Sequence, residues 1–526
     1  MNFLIKRKYL VLPINNKTVK KRLDFYLDGR LVYDIDTHID MISPKYYSYI
    51  NVERFVGKQV DIKIFPEIDF NFTQIENIPN LNLYNEAYRP KVHFTAKYGW
   101  INDPNGLVYA NGIYHMFFQH NPAGTEWGNM HWGHAISTDL LHWQELDEAL
   151  YPDELGTMFS GSAIVDIENK ADLKENENDV ILLFYTAAGN TSKLSNEKPF
   201  TQCLAYSSDN GKTFKKYDKN PIIPHIIGGN RDPKVIYSKE LEKYILALYA
   251  DGHTYMLFVS DNLLDWNKLE EIELKEDAEC PDFYPLPLND NPNIIKWVFT
   301  GASDTYIIGS MKKGRFVGEQ AAKSYQYGNK ISYAAQTFSD TDEQKRRIKI
   351  AWNRMEIPDS SFNSQMGFPS ELFLSKFDDE IYLCGKPIDE IKQLYKKTTE
   401  YFNISLIEDK PFKEYLNKKA YDISIDASFK DINDFTIDIF GIKIKCNLQD
   451  NSITCIDKTA PLSLRKDKIN LRFIVDTAGI ELYIDDGLYY VVSNFNCDYN
   501  IDYITISTAQ NVVIDKISLS ELTNIN

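Results

Sequence analysis

The sequence predicts an all-β protein, a propeller between two smaller β units, and three observations carry that reading. Short alternating runs separated by Gly, Asn and Asp dominate from end to end. In FYLDGRLVYDI, GLVYANGIYHMFFQ and IELYIDDGLYYVV two β-rich runs flank a D-G or N-G turn. A loose repeat recurs between about 90 and 385: STDLLHW (Ser137 to Trp143), SSDNGKTF (Ser207 to Phe214) and SDNLLDW (Ser260 to Trp266) each join an Asp-bearing turn to an aromatic. Self-similarity at tens of residues is how propeller blades read in sequence. Helical periodicity is hard to find until PIDEIKQLYKK, where Ile388, Ile391, Leu394 and Tyr395 share one face after Pro387; this segment is expected to be a connector helix.

A chain of 526 residues exceeds what one hydrophobic core organises. Residues 1–85 read as a small N-terminal β-sandwich-like module ending in the polar linker QIENIPNLNLYNEAYRP. Residues 86–386 read as the propeller, and 387–526 as the connector helix and a C-terminal β-sandwich. No run reaches the roughly 20 apolar residues of a membrane helix, and no membrane partner is expected. The net charge of −17 repels nucleic acid and anionic lipid and suits a neutral ligand. Cys203, Cys280, Cys384, Cys446, Cys455 and Cys497 are scattered without C-x-x-C or metal-type spacing, so free thiols are expected. The opening MNFLIKRKYLVLPINN lacks the features of a secretory signal, which favours a cytoplasmic location.

Three acidic clusters stand out because each places a carboxylate in a Pro-containing turn: WINDPNG (Trp100 to Gly106), NRDPK (Asn230 to Lys234) and ECPDFYP (Glu279 to Pro285). Proline restricts the residue before it, so Asp103 and Asp232 are expected in extended conformations at strand ends. Fixed geometry is what catalysis asks of a carboxylate, and cleavage of a glycoside needs two of them. His115, His120, His131 and His134 lie in expected strands, and neither a metal site nor a cofactor is read from them.

RPKVHFTAKYGWINDPNGLVY, followed in order by YHMFFQHNP, WGNMHWGHA, FSGSAIVD, RDPKV and ECPDFYPL, resembles glycoside hydrolase family 32, the family of invertases, levanases and exo-inulinases. The resemblance implies a five-bladed β-propeller followed by a β-sandwich, and covers the chain from about residue 89 to the C-terminus. It implies retaining release of terminal β-fructosyl units from fructans, fructo-oligosaccharides or sucrose. Asp103 would be the nucleophile and Glu279 the acid/base, with a raised pKa. Asp232 would hold fructose hydroxyls and stabilise the oxocarbenium-like transition state, with Arg231 orienting that carboxylate or keeping it ionised. Asn102, Gln119, Trp127, Phe159 and Ser160 would wall the fructose pocket.

Two elements depart from the family pattern. ISYAAQ (Ile331 to Gln336) lacks the usual acidic residue, and MGFPSEL has Ser370 where Arg is usual, with no Trp in SFNSQ. In the family both positions usually help shape the leaving-group side, so the resemblance implies hydrolysis but leaves the aglycone open. A fructosyltransferase or an endo-acting enzyme of the same fold shares the motifs, as does a non-catalytic sugar-binding protein; an inverting family 43 propeller is disfavoured by the contexts of the three acids. The N-terminal module and the WGNMHWGHAISTD segment look closer to levanases and exo-inulinases, which tilts the expected substrate toward fructans.

Overall fold

The computed structural model describes residues 2–525 except 80–82, 329, 340–344, 359, 378, 409, 418–419, 429–433, 463–467 and 496–499. The hairpins signalled by D-G and N-G form as expected: Asp28–Gly29 (φ 51° and 81°) and Asn111–Gly112 (φ 51° and 80°) both place two successive residues at positive φ. That backbone suits the right-handed twist of the flanking strands and favours Asn, Asp and Gly.

The N-terminal strands, Asn2–Leu4 through Thr73–Ile75, form a four-stranded and a three-stranded sheet. Leu10, Leu12, Leu23, Phe25, Tyr33 and Ile35 fill the space between them, and Ala123 of the propeller packs into the same cluster. Gln74 and Ile75, expected to open the linker, instead end the strand Thr73–Ile75, where Gln74 Oε1 accepts from the Lys6 amide at 2.6 Å. Residues 80–82 of that linker lie outside the described residues.

Five blades follow. The first is Gly99–Ala110, Ile113–Asn121, His131–Ser137 and Gln144–Glu145. The second begins at Thr157–Asp166, the third at Arg231–Ser238, the fourth at Asp282–Leu288 and the fifth at Ser332–Thr337. These first strands are the innermost of their blades and neighbour one another around the axis. Phe362–Asn363, from late in the propeller, pairs in parallel with Gly99 and Trp100 of the first strand, tying the end of the ring to its beginning. The fourth and fifth blades also join through a parallel pairing of Leu288 with Leu374.

The repeat seen in sequence is one structural device used three times, the turn after the third strand of blades one to three. Asp139 Oδ1 accepts from the amides of Leu141 and His142, Asp209 Oδ1 from Lys212 and Thr213, and Asn262 Oδ1 from Leu264 and Asp265. A side-chain oxygen thus satisfies backbone donors that the turn leaves unpaired.

The connector differs from expectation. Asp389–Leu394 is a short 3-10 helix, and Tyr395–Leu406 is a strand paired with Val512–Leu522. Spacing of three between Ile388, Ile391 and Leu394 fits three residues per turn, and the β-branched and aromatic run TTEYFNI gains more from a ladder than from a helix. Two six-stranded sheets then make the C-terminal sandwich around Ile423, Ile437, Phe473, Leu482 and Ile514. A buried ion cluster joins it to the propeller: His93 Nδ1 meets Asp476 at 2.8 Å, and His93 Nε2 meets Glu481 at 3.1 Å. The five described cysteines form no disulfide among themselves and are buried; Cys497 lies outside the described residues.

Candidate active site

The innermost strands bring the three acidic motifs together. Asp103 sits within Gly99–Ala110, at an interruption of the ladder between Ile101 and Pro104, rather than at a strand end. Bulges of this kind re-aim side chains. Asp232 lies at a similar interruption between Arg231 and Lys234, and its φ is +67°, not the extended value expected before proline. Its amide donates to Thr186 Oγ1 at 2.9 Å, and its Oδ2 accepts from the Cys280 amide at 3.0 Å, so neighbouring blades hold the strained residue. Glu279 and Cys280 also lie at positive φ, 59° and 36°, in the turn that enters the fourth blade.

Asp103 is buried and well supplied with donors. Its Oδ2 accepts from Ser160 Oγ at 2.6 Å and Gln119 Nε2 at 3.3 Å, while Asn102 Nδ2 reaches Oδ1 at 3.3 Å. Gln119 also bonds Ser160. The Cys280 thiol lies between the two aspartates, 3.6 Å from Asp103 Oδ2 and 3.5 Å from Asp232 Oδ2. Glu279 is the most accessible of the trio, its side chain one-third exposed. Arg231 Nη2 donates to its Oε1 at 2.5 Å, and the Tyr333 hydroxyl to its Oε2. Arg231 therefore serves Glu279 directly, with its Nε 3.8 Å from Asp232 and its guanidinium stacked 4.6 Å from the Tyr249 ring. Arg354 lies over Tyr333 at 4.0 Å and Trp352 at 4.6 Å.

Charge is distributed unequally over these groups. Burial raises Asp103 above the ordinary aspartate value, opposed by Ser160 and reinforced by Glu279. Burial raises Asp232 to about 7, against Arg231 and with the help of Glu279 and Asp103. Glu279 moves the other way: burial would raise it, but Tyr333 and Arg231 outweigh that and lower it. The raised value expected for Glu279 from sequence is therefore opposite to the direction its protein surroundings impose. Of the three, Asp232 is the group that retains a proton nearest neutrality.

That assignment sets a stability prediction. Asp232 is neutral in folded and unfolded chains below its ordinary value of 3.8, and between 3.8 and about 7 only the unfolded chain loses the proton. Its ionisation therefore destabilises the fold progressively as pH rises toward and past about 7, on the order of a few kcal/mol in all. Asp232→Asn keeps an acceptor for the Cys280 amide without that cost. Its melting temperature should match the parent's near pH 4 and exceed it by several degrees near pH 8. A difference independent of pH would show that Asp232 titrates normally.

Of the remaining sequence-expected residues, Phe159 and Trp127 meet edge to face at 6.1 Å, and Phe159 also contacts Phe200 at 5.5 Å. Trp127 is 53% exposed and stands at the rim. Its loop is clamped by the N-terminal module: Asn16 Nδ2 donates to Thr125 Oγ1 at 2.6 Å, His38 meets Glu126 at 3.1 Å, and Asn129 exchanges two bonds with the Asp36 backbone at 2.7 and 2.8 Å. Sequence reasoning did not single out Tyr333, Arg354 or Cys280 as site residues. Tyr333 lay in ISYAAQ and Cys280 beside Glu279, but Arg354 had no local signal. Asn102 Oδ1 and Trp100 Nε1 are buried without partners, polar atoms that a ligand rich in hydroxyls can satisfy. Among the described residues no cluster of His, Cys, Asp and Glu has metal-site geometry.

A five-bladed propeller with carboxylates converging on its axis, joined to a β-sandwich, has the architecture of a glycoside hydrolase. The chain belongs to the glycosyl hydrolases family 32, whose N-terminal domain matches residues 93–387. It is 31% identical over 455 residues to a levanase of Bacillus subtilis, covering 77% of this chain and 66% of that protein. An extracellular exo-inulinase of Aspergillus niger is 32% identical over 378 residues, 61% of this chain and 69% of the other. A fructan beta-fructosidase of Streptococcus mutans is 40% identical over 270 residues, 48% of this chain and 18% of that longer protein. The chain thus spans just under two thirds of the levanase and about a fifth of the streptococcal protein. The structure of a fructofuranosidase of Schwanniomyces occidentalis complexed with fructosylnystose superposes with a TM-score of 0.75 at 25% identity, over 85% of this chain and all of that one.

Proposed function

We propose that this protein releases terminal β-D-fructosyl units from fructans, fructo-oligosaccharides or sucrose with retention of configuration. The observation that carries the reading is the contrast between two carboxylates of one site. Asp103 is buried and oriented by Ser160, Gln119 and Asn102, whereas Glu279 is partly open and gripped by Arg231 and Tyr333. The relatives named levanase, exo-inulinase and fructan beta-fructosidase support the same substrate class.

Asp103 attacks the anomeric carbon and the glycosidic bond breaks as Glu279 delivers a proton to the leaving oxygen. Glu279 then takes a proton from water, which displaces Asp103 and regenerates both groups. Asp232 accepts hydrogen bonds from sugar hydroxyls and, once ionised, places negative charge beside the oxocarbenium-like transition state. Glu279 is ionised in the empty site. Bound sugar excludes water and deepens the burial that opposes ionisation, so Glu279 takes up its proton as substrate enters.

A time course of products from sucrose, 1-kestose, inulin and levan tests the proposal. Fructose should be the sole early product, and proton NMR should show the β-anomer first. Early oligosaccharides would establish endo action or transfer instead, and release from none of the four would leave a binding protein.

A further inference from the structure

Two side chains from Glu279, through Tyr333 and Arg354, lies a space that is not walled by the propeller alone. A cavity of about 850 Å³ is lined by Trp100, Trp352 and Arg354 of the propeller, by Asn16, Lys17 and Lys45 of the N-terminal module, and by Asn494 of the C-terminal sandwich. It adjoins the catalytic trio through Arg354, whose guanidinium lies 4.0 Å over the Tyr333 ring, and the Tyr333 hydroxyl bonds Glu279. Trp100 stands in the same strand as Asp103 and meets Trp352 edge to face at 5.8 Å. Glu279 protonates the leaving oxygen in the proposed reaction, so this cavity lies where the leaving portion of the substrate goes.

Its chemistry suits a sugar chain. Indole rings supply apolar faces for sugar rings, and amides, ammonium groups and the unpartnered Trp100 Nε1 supply hydrogen bonds. The volume lies in the range of pockets that enclose ligands larger than a single sugar. The N-terminal wall is also fixed before substrate arrives. Tyr46 OH donates to Asn16 Oδ1 at 2.7 Å, Asn16 donates to Thr125 at 2.6 Å, and Asn363 Nδ2 donates to the Thr125 carbonyl at 3.1 Å, linking the module to both propeller loops at the cavity. Preorganised walls lower the entropic cost of binding.

We propose that the N-terminal module is part of the substrate site: its Asn16, Lys17 and Lys45 complete a cleft for the leaving portion of a β-fructosyl chain. The enzyme thereby favours chains over the disaccharide. This inference rests on the function proposed above.

The test is the double variant Lys17→Ala/Lys45→Ala in the full chain, two exposed positions whose truncation spares the module's core. The reading is the ratio of kcat/KM for an inulin-type pentasaccharide to that for sucrose. It should fall about tenfold, chiefly through KM, equivalent to about 1.4 kcal/mol of lost binding to the longer ligand. An unchanged ratio at an unchanged melting temperature would overturn the proposal. If the parent chain releases no fructose from sucrose, 1-kestose, inulin or levan, the functional reading fails on its own. The cleft is then read by calorimetric titration of the pentasaccharide into Asp103→Asn and into Asp103→Asn carrying both lysine changes. Weaker binding in the latter supports the cleft, and equal or absent binding in both refutes it.

Discussion

Asp103→Asn is expected to lower turnover of sucrose or any fructan by about four or more orders of magnitude, with folding intact. The amide preserves the shape of the side chain, and Ser160 Oγ and Asn102 Nδ2 still find acceptors or partners at its position. What disappears is the nucleophile, because a carboxamide cannot form the ester that carries the fructosyl group. The buried charge disappears as well. Since burial holds Asp103 above its ordinary pKa, its loss should leave the melting temperature equal or higher at neutral pH. Steady-state assays of fructose release, paired with a thermal melt, decide the matter. Turnover within tenfold of the parent, with the fold intact, would remove Asp103 from the nucleophile's role.

Glu279→Ala should cost about two to four orders of magnitude on substrates with a poor leaving group, the usual worth of general acid–base catalysis. The loss should shrink on a fructoside with an activated leaving group, because departure then needs little protonation. Added azide should restore part of the rate on that substrate and yield fructosyl azide, since azide attacks the covalent intermediate without a general base. Glu279 is partly exposed, and Arg231 keeps its bond to the Gly229 carbonyl at 2.5 Å, so the variant should fold. Equal losses on both leaving groups, without azide rescue, would assign Glu279 to binding rather than proton transfer.

The two variants separate roles that the electrostatics of the empty site does not. Asp232, at about 7, is the carboxyl most ready to hold a proton, yet its Oδ2 is occupied by the Cys280 amide and thiol. Glu279 is the most exposed of the three, and Tyr333 links it to Arg354 at the wall of the leaving-group cavity. Its exposure and its bond to Tyr333 therefore favour Glu279 as the acid of the proposed reaction, whichever carboxyl holds a proton at the start of the cycle.

The sequence by itself determined the all-β class, the D-G and N-G hairpins and the three matching blade turns. These are local: a positive φ pair or a side-chain oxygen reaching an amide two to four residues on needs no partner far along the chain. It also singled out the three acids that the structure brings together, because each lies in a short motif. The connector helix is tighter and shorter than its periodicity suggests, because spacing of three and of three-to-four residues coincide over one turn, and only pairing of Tyr395–Leu406 with Val512–Leu522 sets where it ends. Tertiary structure alone decided the left-handed backbone of Asp232 and Glu279, the pairing of Arg231 with Glu279, and the placing of Arg354 over Tyr333. It also decided that a loop near residue 16 would meet residues 125 and 363 around one cavity. Each of these depends on blades separated by tens to hundreds of residues closing around one axis, and on burial, which sets both the cost of a strained backbone and the direction of every pKa shift.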